Sequence, residues 1–130
     1  MCISSPFHQH VTFVYVKDLE RASHFYHDVL GLPLALDQGA CRIFGVTETA
    51  FIGVCTASQA VTPEGVILTL VSNDLLEWHQ RLVDAGVPVH SPPTFNETYN
   101  ITHLFARDPD GYLVEIQTFH DPNWPQVSVG

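Results

Sequence analysis

The sequence predicts an α+β domain made of two copies of one unit, each a strand, a helix and three further strands. Alternating and β-branched runs flank two helix-sized segments, and each segment ends at a glycine followed two residues later by a proline. Residues 30–34 (LGLPL) match residues 85–89 (AGVPV) at an offset of 55 residues, and Asp18 matches Asp74 at an offset of 56. A repeated unit of this kind implies that the two copies share buried surface.

The first copy begins with the alternating strand 10–16 (HVTFVYV). Asp18 is a helix N-cap candidate, and the apolar residues that follow have three-to-four spacing as far as Leu30. Gly31 is placed to end this helix in a left-handed conformation. Three strands are predicted after it, at 33–37, 41–46 and 49–56.

The second copy begins with the strand 66–71, after which Asn73 or Asp74 starts a helix that ends at Gly86. A short strand is predicted at 87–90 and a proline-rich loop at 91–99. The remaining predicted elements are a strand at 101–106, a turn at 108–111 (DPDG) and a strand at 112–119.

The chain length of 130 residues fits a single domain. The predicted division is module one at 8–56, a linker at 57–65, module two at 66–119 and an irregular tail at 120–130. No apolar run is long enough to cross a membrane, and residues 1–6 lack the features of a signal peptide.

The charge and the cysteines restrict the possible partners and location. The formal charge of −9 argues against nucleic acid and anionic membranes as partners. It favours a cationic ligand, or it only confers solubility. The three cysteines Cys2, Cys41 and Cys55 are widely spaced and odd in number, so we expect no disulfide and a cytoplasmic location.

Two segments resemble the vicinal oxygen chelate superfamily, which includes glyoxalase I, extradiol dioxygenases, fosfomycin-resistance enzymes and bleomycin-binding proteins. Residues 10–20 (HVTFVYVKDLE), with Phe25-Tyr26 and residues 29–32 (VLGL), resemble the first module of that group. Residues 107–115 (RDPDGYLVE) are similar to the strand that ends its second module. The resemblance covers residues 8–119.

The resemblance implies a glyoxalase-like fold, in which two βαβββ modules form an eight-stranded, U-shaped mixed sheet around a ligand cup. It also implies a small-molecule ligand or substrate, a homodimer, and a divalent metal held by the first and last strands of each module. Such an ion acts as a Lewis acid on a substrate oxygen.

Only two of the four implied ligand positions carry suitable residues. His10 and Glu115 match, as metal ligands for Zn, Mn, Fe, Co or Ni, or as catalytic residues. The position that opens module two is Val66, or Gly65 with a slip of one residue, and the remaining position is Gly53. Candidate substitutes are His8, two residues before His10, and three residues of uncertain direction, Glu48, Glu64 and His103.

Strand alternation places Phe51, Gly53 and Cys55 towards the cup. Val66 and Leu68 are candidate lining residues in the second module, together with His103. An apolar cup suits an aromatic or apolar ligand, although the same residues could equally fill a core.

Three functions therefore remain open. The first is a metal-dependent lyase, isomerase or dioxygenase. The second is a metal-free protein that sequesters a ligand, as drug-resistance proteins do. The third is a metal-free enzyme in which His10 and Glu115 transfer protons directly.

Overall fold

A computed structural model describes residues 4–56 and 61–126 of the chain. The first half contains β1 (His10–Val16), α1 (Leu19–Ser23) with a π-helical continuation (His24–Val29), β2 (Leu34–Asp37), β3 (Cys41–Gly45) and β4 (Ala50–Thr56). The second half contains β5 (Ile67–Val71), α2 (Leu75–Asp84), β6 (Thr94–Asn96), β7 (Ile101–Arg107) and β8 (Leu113–Phe119). None of the helices in these two ranges is both long and apolar enough to cross a membrane.

The strands form two four-stranded mixed sheets with the same order, β1-β4-β3-β2 and β5-β8-β7-β6. The first strand of each sheet pairs in parallel with the last strand of its unit, and the other pairings are antiparallel. The repeated βαβββ unit and the glyoxalase-like α+β fold predicted from the sequence are thereby confirmed.

The helices begin and end close to the predicted residues, with one difference in each. The Asp18 side chain accepts a hydrogen bond from the Arg21 amide at 3.1 Å, as an N-cap does. From His24 the helix widens into a π-helical turn, and its last amide bond runs from Leu30 to Phe25 at 2.9 Å. The side chain of Asp74, at the start of α2, makes no capping bond.

One hydrophobic core runs through both modules, between the helices and one face of each sheet. Its largest fully buried side chains include Tyr26, Phe44, Leu82, Leu104 and Ile116. Because side chains alternate along a strand, the residues between these buried ones point to the opposite, uncovered face.

We call these uncovered faces the open faces. The first open face is formed by Val11, Phe13, Tyr15, Cys41, Ile43, Phe51, Gly53 and Cys55. The second open face is formed by Ile67, Thr69, Val71, His103, Phe105, Leu113, Glu115, Gln117 and Phe119.

The segment between α2 and β7 differs from its prediction. The strand expected at 87–90 is reduced to a single bridge between Val89 and Ala106. The edge strand β6 lies instead inside the segment predicted as a loop, at 94–96. Pro88, Pro92 and Pro93 explain this shift, because proline has no amide hydrogen to give to a sheet.

The expectation of no disulfide is wrong, since the structure joins Cys41 to Cys55. The two residues face each other across the antiparallel β3–β4 ladder, and their Cα atoms are 4.1 Å apart. Their separation of 14 residues looks wide in the sequence only because the chain reverses between the two strands. Cys2 lies outside the described residues, and the cytoplasmic location stays a prediction.

The buried carboxylate of Asp108 stabilises the turn before β8. It accepts hydrogen bonds from the Tyr26 hydroxyl at 2.7 Å and from the amides of Tyr112 and Asp110 at 2.8 and 2.9 Å. Burial raises the pKa of Asp108, although these hydrogen bonds oppose the shift. Burial, with the charge of Asp108 beside it, also raises the pKa of Tyr26 well above its usual range.

The same turn attaches the second module to β1 of the first module. The Tyr112 hydroxyl donates to the carbonyl oxygen of Tyr15 at 2.6 Å. The carboxylate of Asp110 accepts from the Lys17 amide at 3.0 Å and lies 3.5 Å from the Arg21 guanidinium. We call these contacts, together with the hydrogen bond from Tyr26 to Asp108, the module junction.

Candidate functional site

A polar cluster of three residues lies on the second open face. The Nδ1 atom of His103 donates to Oε2 of Glu115 at 2.7 Å, and the Thr69 hydroxyl donates to Oε1 at 2.9 Å. The side chains of His103 and Glu115 are only 16% and 12% exposed. A carboxylate with so little exposure to solvent requires hydrogen-bond donors from the protein, and each of its two oxygens has one.

Strand register explains why these three residues meet. Thr69 is the parallel partner of Glu115, and Phe105 is its antiparallel partner on the other side. His103 lies two residues from Phe105 on the same face, close enough for its ring to reach the carboxylate diagonally. Glu115 and His103 were each predicted from the sequence, whereas Thr69 was not, although the alternation of residues along β5 places it on the same face.

Aromatic and aliphatic side chains surround this cluster. The rings of His103 and Phe105 pack edge to face with centroids 4.9 Å apart. Further along β8, Phe119 stacks on Trp124 of the tail with ring centroids 3.8 Å apart. On β5, Ile67 and Val71 lie on either side of Thr69 on the same face, and their side chains are largely exposed.

The first open face carries no comparable polar group. The ring of Phe13 lies directly over Gly53, so that a Cβ atom built on this glycine would collide with it. Phe51 and Cys55 flank the glycine on the same face of β4. Phe51, Gly53 and Cys55 therefore share one face, and Phe13 occupies the space in which a side chain at position 53 would lie.

The structure does not bring His10 or His8 to Glu115. His10 points to the side of β1 that also carries Val14 and Val16, opposite Phe13, and its Nε2 atom is hydrogen-bonded to the Thr12 hydroxyl at 2.9 Å. The two histidines instead line a shallow surface depression of about 320 Å³. Its other lining residues are Ser5, Phe7, Gln9 and Thr49.

Val66 and Leu68 also lie elsewhere than predicted. Leu68 is the register partner of the buried Val114 and is itself 6% exposed, so it packs in the core beneath α2. Val66 precedes β5 and packs against the core from its edge. Ile67 and Thr69 occupy the open-face positions that Val66 and Leu68 were expected to fill, because the strand presents its odd-numbered residues there.

The described residues do not fit a divalent metal. Within 4–56 and 61–126, no three His, Cys, Asp or Glu side chains converge in a way that could hold an ion. The open-face residues that start β1 and β5 are Val11 and Ile67, which have no donor atoms, and Phe13 covers Gly53. Of His10 and Glu115, the two residues with donor atoms at implied ligand positions, only Glu115 lies on an open face, and a single carboxylate does not hold a divalent ion tightly.

A family profile described as the Glyoxalase/Bleomycin resistance protein/Dioxygenase superfamily matches residues 8–116. The chain belongs to this superfamily. Its members often use divalent metals, whereas the part of this chain that the structure describes forms no such site. No curated protein matches the sequence.

Solved structures share the fold at low sequence identity. An integron cassette protein from the mobile metagenome of the Halifax Harbour sewage outfall is 22% identical, with a TM-score of 0.74 over 85% of this chain and 97% of its own. A glyoxalase-related enzyme from Fulvimarina pelagi is 21% identical, with a TM-score of 0.74 over 91% of each chain. A lactoylglutathione lyase from Agrobacterium tumefaciens is 22% identical, with a TM-score of 0.70 over 88% of this chain and 96% of its own.

Proposed function

We propose that this protein binds a small aromatic cation without a metal, using Glu115 as the polar anchor and the open faces as the walls of the site. The observation that carries the proposal is a nearly buried carboxylate whose hydrogen-bond partners are an imidazole and a hydroxyl, on a face otherwise lined by apolar and aromatic groups. Within residues 4–56 and 61–126, no lysine or arginine side chain forms an ion pair with Glu115.

The chemistry around Glu115 suits such a ligand. A carboxylate has about four acceptor positions, and two donors leave some of them for an ammonium group. Phe105 and the exposed rings of Phe13 and Tyr15 offer faces for stacking and for cation–π contacts. The overall charge of −9 would also raise the rate of encounter with a cation.

We further propose that two chains form a homodimer that closes the site. Val11, Phe13, Tyr15, Ile67 and Val71 are 39%, 53%, 47%, 55% and 55% exposed, and they follow the two strands that open the modules. Apolar side chains exposed in such rows are typical of surfaces that bind a partner. Multi-angle light scattering should give twice the 14.5 kDa mass of one chain, and Phe13→Asp should return the monomer. A monomeric wild-type protein would contradict this part of the proposal.

A matched ligand pair tests the charge preference. Isothermal titration with phenethylamine and with 2-phenylethanol, which lacks the positive charge, should give measurable binding of the amine alone. Glu115→Gln should weaken amine binding about tenfold or more, because one charge-assisted contact is lost. Glu77→Gln, on the exposed surface of α2, is the control for net charge. Equal affinity for the two compounds would overturn the proposal.

The 2.7 Å contact between His103 and Glu115 favours a second candidate function, metal-free proton transfer. A carboxylate that orients an imidazole is a common general-base arrangement. The test is exchange of the benzylic protons of phenylacetone in D₂O with EDTA present, followed by proton NMR. Exchange above background that is lost in His103→Ala would support catalysis, and background exchange in the wild type would contradict it.

A further inference from the structure

We propose that Cys41 and Cys55 form a reversible thiol–disulfide couple that exchanges with small-molecule thiols and covalently links β3 to β4 only when oxidised. The pair lies on the first open face, apart from Glu115, and its exchange does not depend on which ligand the chain binds.

The β3–β4 ladder holds the two sulfur atoms together whether or not they are bonded. Cys41 and Cys55 are directly opposed partners, and the next partners along the ladder are Arg42 and Val54. Beyond the pair, the Thr56 amide donates to the Ala40 carbonyl at 2.9 Å. Backbone hydrogen bonds on both sides therefore keep the strands in register, so that reduction requires no rearrangement of the sheet.

The position of Cys41 gives an external thiol access to the bond. Cys41 is the first residue of β3, and it directly follows an exposed turn in which Gly39 has a φ of +84°. Cys41 is partly exposed, whereas Cys55 is 8% exposed. Cys41 is therefore the sulfur that a solvent thiol or disulfide reaches first, and Cys55 is the resolving sulfur.

The exchange balances with glutathione disulfide as the named oxidant. The Cys41 thiolate attacks one sulfur of the oxidant, which forms a mixed disulfide and releases one glutathione thiolate. The Cys55 thiolate then attacks the sulfur of Cys41, which forms the internal disulfide and releases the second glutathione thiolate. Two protein thiols lose two electrons and two protons in total, and one glutathione disulfide becomes two glutathione thiols. The reverse sequence reduces the protein.

The cysteine pair lies beside Tyr15 on the first open face. Cys55 is the parallel register partner of Tyr15, on the same open face. The carbonyl of Tyr15 accepts the Tyr112 hydroxyl at the module junction. The link between β3 and β4 thus lies one strand away from the contact that joins the two modules.

The test uses a Cys2→Ser background, so that only the proposed pair can react. This protein is equilibrated over a range of ratios of reduced to oxidised glutathione, quenched with acid, labelled with a maleimide and weighed by mass spectrometry. We expect a single transition from two labels to none, with no glutathione retained. The oxidised form should melt roughly 5–10 °C above the reduced form, because the bond restricts the unfolded chain.

Two further variants test the assigned order of attack. In Cys2→Ser/Cys55→Ser, glutathione should stay on Cys41 as a mixed disulfide that cannot be resolved. In Cys2→Ser/Cys41→Ser, the less exposed Cys55 should take up glutathione several-fold more slowly. Any one of three results would overturn the proposal. The first is two free thiols at every glutathione ratio, and the second is a glutathione adduct that persists on the Cys2→Ser protein. The third is an equal melting temperature for the oxidised and reduced forms of that protein.

Discussion

The two open faces are built on the same strand order, yet the side chains at matching positions are chemically unlike. Phe13 pairs with Gly53 at the centre of the first face, and Thr69 pairs with Glu115 at the corresponding place on the second. Phenylalanine fills the first location by covering a glycine, whereas threonine supports a carboxylate in the second. The repeat therefore preserves backbone geometry without preserving the chemistry that the backbone presents.

The difference continues at the next position along each ladder. Cys41 faces Cys55 on the first face, and His103 faces Gln117 at the matching place on the second. One module thus places a disulfide where the other places the imidazole that hydrogen-bonds to Glu115. The strand pairing that the two modules share is therefore a requirement of the fold, whereas the side chains that differ at matching positions belong to the site.

The largest effect is expected at the module junction, on which both faces depend. Asp108→Ala leaves the Tyr26 hydroxyl and two amides without their acceptor, so we expect the unfolding free energy to fall by about 3 kcal/mol or more. Urea denaturation measures the loss. The control Asp84→Ala, at the exposed end of α2, should change the unfolding free energy by less than about 0.5 kcal/mol. Equal losses in the two variants would contradict the role given to Asp108.

A smaller effect is expected from Gly53→Ala, which tests the first face. The new methyl group would displace the Phe13 ring, and we expect a loss of about 1–2 kcal/mol in thermal or chemical denaturation. Adding Phe13→Ala should recover part of this loss, which a double-mutant cycle would detect. Gly45→Ala in the same sheet is the matched control, since its Cβ atom would meet only ordinary contacts. Additive losses at 53 and 13 would show that the ring does not lie over the glycine.

On the second face, Thr69→Val tests the support of the carboxylate. Loss of the 2.9 Å hydrogen bond to Glu115 should lower the unfolding free energy by about 1 kcal/mol. Thr98→Val, on an exposed loop, should be close to neutral. An unchanged unfolding free energy in Thr69→Val would mean that the Glu115 carboxylate does not depend on the Thr69 hydroxyl as a hydrogen-bond donor.

The smallest expected effect is a change in pH dependence at the junction. Because burial raises the pKa of Asp108, this carboxyl group stays protonated to a higher pH in the folded state than in the unfolded state. Its contribution to stability is therefore greatest below the usual aspartate pKa and falls as the pH rises from about 3.8 through the raised pKa. Asp108→Asn should remove this fall, which appears when the unfolding free energies of wild type and variant are subtracted at each pH. A difference that stays constant with pH would contradict the raised pKa.

Local patterns in the sequence were sufficient to predict the helices, the repeat and every described strand except β6. Asp18 and Gly31 lie at the two ends of the first helix, as predicted. These ends were predictable because capping depends on neighbouring residues alone. The Cys41–Cys55 bond and the approach of His103 to Glu115 depend on the pairing between strands, which no local pattern specifies. The direction of His10 depends on which residues of β1 face the helix, and a difference of one residue reverses it.

The module junction also has a consequence for how the chain is synthesised. Tyr26 and Tyr15 emerge early from the ribosome, but their partners Asp108 and Tyr112 follow 82 and 97 residues later. The tyrosine hydroxyl and the strand carbonyl of a nascent first module therefore lack these partners until the second module has been translated. Contacts this distant in sequence slow folding, so the two halves should acquire their final structure together.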